Sequence, residues 1–192
     1  MEDEIWLDLL NSDWHDYRGT GKREDRIDNP IWLKQFLESW GIDLSGIPQE
    51  QVRASLRSLR TILRRIAEQV TARKKISPEV LKGLNLLFDR APLTRRLAFQ
   101  KDQPQLKFIS IAGRLDSALG EIANSFAEAL VRGDPSRIKI CKNKDCLWVF
   151  YDRTKNKSRK WCEETTCANL MKVRRFREKH RIKHREFSYK RQ

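Results

Sequence analysis

Apolar positions recur at helical spacing through most of the first 130 residues. The clearest run follows Pro48, where Val52, Leu56, Leu59, Leu63, Ile66 and Val70 are separated by alternating steps of four and three. That spacing lays them along one stripe of a long helix. Arg53, Arg57, Arg60, Arg64 and Arg65 fall on its other faces and read as a solvated surface. Asn29-Pro30 offers a cap and a first helical position for a helix carrying Leu33, Phe36, Leu37 and Trp40, with Gly41 as its stop. Ser77-Pro78-Glu79 starts another, with Val80, Leu84, Leu87 and Phe88 inward. Leu115, Leu119, Ile122, Phe126 and Leu130 line a last one, closed by Gly133-Asp134-Pro135.

Three stretches depart from this pattern. Ile5, Trp6, Leu9 and Leu10 fit either one face of a short helix or a buried strand. His15 to Asp28 is polar with Gly19 and Gly21 inside it, and reads as a mobile loop. Leu97-Ala98-Phe99 and Leu106-Lys107-Phe108 flank Lys101-Asp102-Gln103-Pro104, which predicts a short β-hairpin. The expected fold is mainly α, with a multihelical domain over 1–134 that includes this hairpin. A small second module occupies 135–192.

Composition narrows the class. In 192 residues, 39% are hydrophobic, enough for a core. No stretch approaches the ~20 apolar residues of a membrane span. The opening Met1-Glu2-Asp3-Glu4 is acidic where a secretory signal is positive, so a cytoplasmic protein without a membrane partner is expected. Net charge is +14, and residues 133–192 hold 19 Lys and Arg against 7 Asp and Glu. A basic excess confined to one end is the footprint of a polyanion partner; a solubilising tail is the plainer alternative.

All four cysteines lie in that basic third, as Cys141-x4-Cys146 and Cys162-x4-Cys167 with fifteen residues between the pairs. Two close pairs joined by a loop suit a tetrahedral thiolate site for one structural Zn²⁺. Disulfides and an iron–sulfur cluster are the competing uses, and a reducing compartment disfavours the first. Leu147-Trp148-Val149-Phe150-Tyr151 is a β-favouring run, Asp152 to Ser158 a polar turn, and Arg159-Lys160-Trp161 leads back to the second pair. A knuckle, a hairpin and a ligand pair heading a helix make a treble-clef or ribbon-like module, with Trp148, Phe150 and Trp161 walling the metal. Four protein ligands leave no open position, so the metal is structural.

Beyond Cys167 a basic helix is predicted. Leu170, Val173 and Phe176 form an apolar seam toward the zinc lobe, while Lys172, Arg175 and Lys179 share another face, broadened by Arg174, Arg177 and Arg181. With Arg159 and Lys160, these are the candidate nucleic-acid contacts. His180 and His184 have metal-compatible spacing but read as surface residues beside a complete thiolate set.

The stretch from Cys141 through Trp148-Val149-Phe150-Tyr151-Asp152, Arg159-Lys160-Trp161-Cys162 and Cys167-Ala168-Asn169-Leu170-Met171-Lys172-Val173 resembles the CGNR zinc finger. Leu7-Asp8-Leu9-Leu10-Asn11-Ser12, the Asp28 to Gly41 segment and Arg57-Ser58-Leu59-Arg60 resemble the ABATE domain that precedes it in bacterial stress-induced transcription regulators. The resemblance implies a helical domain followed by a DNA-binding finger whose four zinc ligands match these cysteines. Ala168 and Leu170 stand where the family has Gly and Arg, and Leu170 removes one phosphate or base contact.

Two readings follow. The first is a zinc-dependent regulator binding double-stranded DNA, with a homodimer suited to half-site recognition. The second is a zinc-finger module for RNA or protein. An enzyme is not expected: Asp8, Asp13, His15 and Asp16 cluster without a nucleophile or metal-ligand spacing.

Overall fold

The structure, a computed structural model, describes residues 4–189, with side chains through residue 181. Its six helices are α1 (Ile5–Leu10), α2 (Pro30–Ser39), α3 (Gln49–Thr71), α4 (Pro78–Arg90), α5 (Arg114–Val131) and α6 (Asn169–Tyr189). Three antiparallel two-stranded sheets are formed by β1 (Asp13–His15) with β2 (Arg23–Asp25), β3 (Leu93–Gln100) with β4 (Gln103–Ser110), and β5 (Ile138–Ile140) with β6 (Val149–Tyr151).

Helix α3 is the axis of the core. Val52, Leu56, Leu59, Leu63 and Ile66 are buried along it, against α1, α4 and α5. Trp6 of α1 is fully buried and meets Phe126 of α5 edge-on, ring centroids 5.1 Å apart, an arrangement that adds to the area both rings bury. The first segment is thus a helix and not a strand. Asn29 caps α2 by accepting from the Ile31 and Trp32 amides. Gly41, at φ +64°, ends it in the left-handed conformation that costs glycine little.

Residues 15–28 are not a loose loop. Asp16 folds the tip of the β1–β2 hairpin by accepting from the Arg18 amide and the Thr20 hydroxyl, and Arg23 forks onto Asp13 across the strands. The arginines of α3 are likewise not simply a solvated face. Arg60, its side chain only 13% exposed, donates to the Asp25 carboxylate from Nη1 and Nη2 at 2.7 and 2.6 Å and from Nη1 also to Ser12 Oγ. Arg57 bridges Asp25 and Asp28. At Asp25 and Asp28 the polar segment and the basic face of α3 neutralise each other. Arg65 remains exposed as expected.

The same core runs into the C-terminal module. Ile138 of β5 and Val149 of β6 are buried in the cluster that contains Trp6 and Leu63. Asn11 donates to the Val149 carbonyl at 3.0 Å and accepts from the Val149 amide at 2.8 Å, so one side chain pairs with β6 as a neighbouring strand would. Arg64 donates to the Leu147 carbonyl and Thr71 to that of Ile138. Among the described residues, no helix is long and apolar enough to cross a membrane.

Burial alone would raise the Asp25 carboxyl; the bonds from Arg60 and Arg57 outweigh it and hold the group below its ordinary 3.8. A group lowered in the folded state stabilises fully above its unfolded value and loses that effect as pH falls through the folded one. Asp25→Asn should therefore cost about 2 kcal/mol at neutral pH. In urea titrations the gap to wild type should narrow markedly by about pH 3.

Candidate metal centre and nucleic-acid interface

The four cysteines converge where the β5–β6 hairpin meets the head of α6. Cys141 and Cys146 sit on the connection between the two strands, shaped by the Cys146 amide donating to Asn143 O and by Leu147 at φ +59°. The aromatic run forms β6 as expected, but it pairs backward with 138–140 and not forward with 159–161. The reason is the knuckle itself, which folds the chain back so that Cys141 N reaches Trp148 O at 2.8 Å. Residues 159–161 still close the site from the other side, through Lys142 N to Lys160 O.

Cys167 lies in a π turn, Glu164–Ala168, at the start of α6. From Cys167 the packed face continues at ordinary α-helical steps of four and three through Met171 and Arg174, with Leu170 half-buried beside them. Val173 and Phe176, expected in the seam, are 45% and 64% exposed.

All four sulfurs lie within 4.8 Å of one another and all four residues are buried. Cys146 and Cys162 sulfurs are 3.6 Å apart, against the about 3.8 Å expected between ligands of a tetrahedral Zn²⁺ at ~2.3 Å. The donor set and its spacing fit one zinc ion, which would supply four bonds and no open position. Hydrogen bonds among the sulfurs pull the Cys141 thiol far below its ordinary value and hold the Cys146 and Cys162 thiols above theirs. Sulfurs this close cannot all ionise without a cation among them.

Surrounding groups hold the ligands. Phe150 is buried against the cysteines, with Trp148 and Trp161 half-buried beside it, as expected. Tyr17 also packs there; its position in a polar loop gave no sign of it. Fully buried Asn143 donates to the Tyr17 carbonyl at 2.8 Å and toward the Cys167 sulfur at 3.5 Å. Asp152, also fully buried, folds the turn by accepting from Lys139 Nζ, the Thr154 hydroxyl and the Arg159 amide. Burial raises its carboxyl, yet those bonds prevail and lower it to about 2.

The predicted basic contacts divide into two groups. Arg159 lies over the Phe150 ring and donates to the Trp161 and Cys162 carbonyls. Arg174 bridges Asp145 at 2.8 Å and the Arg18 carbonyl at 2.7 Å, tying α6 to the knuckle and to the β1–β2 tip. Gly19 (φ +84°) lies against this junction, where a Cβ would come within 2.9 Å of the Asp145 carboxylate. Both arginines therefore position the finger. Lys172, Arg175, Arg177, Lys179 and Arg181 are all exposed. His180 contacts Phe176, and the side chain of His184 lies outside the described residues.

Sequence reasoning missed a second basic surface. A cleft of about 940 Å³ between the end of α3 and the zinc module is lined by Arg73, Lys74, Lys142, Lys157 and Lys160 over an apolar floor of Val70, Ile138 and Ile140. Lys157 pairs with Asp134. The cleft joins cations 68 residues apart (Lys74 to Lys142), a juxtaposition without a local signal.

A profile of the CGNR zinc finger matches residues 137–180. The ABATE profile, described as "Putative stress-induced transcription regulator", matches residues 3–133. No curated protein matches the chain. The four thiolates are the finger's site for a single structural Zn²⁺.

Elemental analysis should find one zinc per chain. Cys162→Ser should lose most of it and destabilise the module, since structural zinc contributes on the order of 10 kcal/mol to folding. Hydrogen exchange should then show lost protection over 138–175, with α3 much less affected.

Proposed function

This chain belongs to the ABATE family and carries its CGNR zinc finger, and from that premise we propose that it is a regulator that binds double-stranded DNA in the cytoplasm. One observation carries the reading. Helix α6 presents Lys172, Arg175, Arg177, Lys179 and Arg181 to solvent, while Arg159 and Arg174, which could have joined them, are engaged in fixing the module. Lys172, Arg175 and Lys179 share one face of the helix, and solvent-facing cations so spaced are what a phosphate backbone selects. Zinc acts through folding: it holds the knuckle to the head of α6 and takes no part in chemistry.

The protein is not an enzyme in this reading. The acidic and imidazole groups near the N-terminus have structural partners: Asp13 with Arg23 and His15, Asp16 with Thr20, Asp8 with the Trp40 indole. The aromatic rings of the finger face the metal cluster, which favours backbone contact over the base stacking an RNA-binding module would use.

Anisotropy titrations with duplex DNA should give a log–log salt slope near −5, the value for about six neutralised phosphates. Lys172/Arg175/Lys179→Ala should make that slope less steep by about 2.7. A flat salt response, or structured RNA competing better than duplex DNA, would count against the reading.

A further inference from the structure

The β3–β4 hairpin is built to be covered, and nothing among the described residues covers it. Register pairs Leu93 with Ser110, Arg95 with Phe108, Leu97 with Leu106 and Phe99 with Pro104. Paired residues share a face, so one face carries Leu93, Leu97, Phe99, Leu106 and Phe108. The other carries Thr94, Arg96, Ala98, Gln105, Lys107 and Ile109. The pattern is that of a half-buried sheet. Yet the apolar five are 56%, 68%, 72%, 57% and 61% exposed, and none joins either hydrophobic cluster of the described residues.

We propose that this face is a homodimer interface, two hairpins packing apolar face to apolar face. The area suits a second copy. Three leucines and two phenylalanines so exposed present on the order of 600 Å², at the top of the range for the largest patch on a monomer and close to the ~800 Å² each partner loses in a standard interface. The chemistry suits it as well. Arg95 is the only charged residue on the face, as in the apolar centre of a homodimer interface, and its guanidinium can lie over a ring of the mate.

Stability argues the same way. A lone two-stranded hairpin is marginal in water and needs a packed face, and a cover available to every molecule as it is made is another copy. The turn is strong, with Lys101 and Asp102 at φ +49° and +60°, as a two-residue type I′ connection requires. The edge is blunted by Pro104 in β4, which disfavours strand addition and leaves the face as the contact.

The inference is independent of nucleic-acid binding and is tested without it. Light scattering on the zinc-loaded full chain at tens of micromolar should give about twice 22.8 kDa. Leu97→Glu/Phe108→Glu should raise the dimer dissociation constant by at least about 100-fold and give a monomer, with zinc content and circular dichroism unchanged. Gln105→Glu/Lys107→Glu, on the other face, should remain dimeric. A monomeric wild type, a dimer that survives the first pair, or one lost to the second would overturn the proposal. Hydrogen exchange on wild type needs no substitution: residues 93–110 should lose protection on dilution while α3 does not, and concentration-independent protection would equally overturn it.

Discussion

Four sulfurs gathered within 4.8 Å of one another are the constraint on which the finger depends. Brought together as thiolates they repel strongly, and protonated they have little reason to converge; a divalent cation reverses that balance. Everything around the cluster is arranged to keep the sulfurs at that separation. Asn143 ties the knuckle to the β1–β2 tip, Asp152 folds the turn beyond β6, and the π turn delivers Cys167 from the head of α6. The basic helix takes its direction from the same point, because Cys167, Met171 and Arg174 form its packed face.

The two family segments adjoin near residue 135, but the physical body does not divide there. Ile138 and Val149 share the core of α1, α3 and α5, and Asn11, Arg64 and Thr71 bond the backbone of the zinc hairpin. A change in the helical part is thus felt at β5 and β6 through direct contact. The basic cleft straddles the same seam, with Arg73 and Lys74 from one segment and Lys142 and Lys160 from the other.

Much of this was legible because apolar periodicity reports which face of a segment is buried. It identified α2 to α5 with their inward residues, and cysteine spacing identified the metal ligands. Periodicity does not report what covers a face. Leu97 and Phe99 read as strand residues, yet their exposure could be seen only in the fold. The packed face of α6 was hidden because its phase is set by Cys167, from which steps of four and three reach Met171 and Arg174 and leave the apolar Val173 and Phe176 outward. Polar cross-links were least visible: Asn11 and Val149 are 138 positions apart, and neither departs from its local pattern. The β1–β2 tip looked mobile because Asp16, Arg23 and Asp25 are polar; their order comes from pairing with charges on other elements and on each other.

One property of α6 has a mechanical consequence. Among its described side chains the last half-buried one is Arg174, and the helix backbone continues to Tyr189, about 22 Å further at 1.5 Å per residue. Over the described side chains it is clamped at its root, with residues 175–181 exposed. A duplex turn rises about 34 Å, so in the proposed complex the helix beyond Arg174 would span most of a turn. Leverage then makes the root decisive: a few degrees of tilt at Arg174 displaces the far end by more than an ångström.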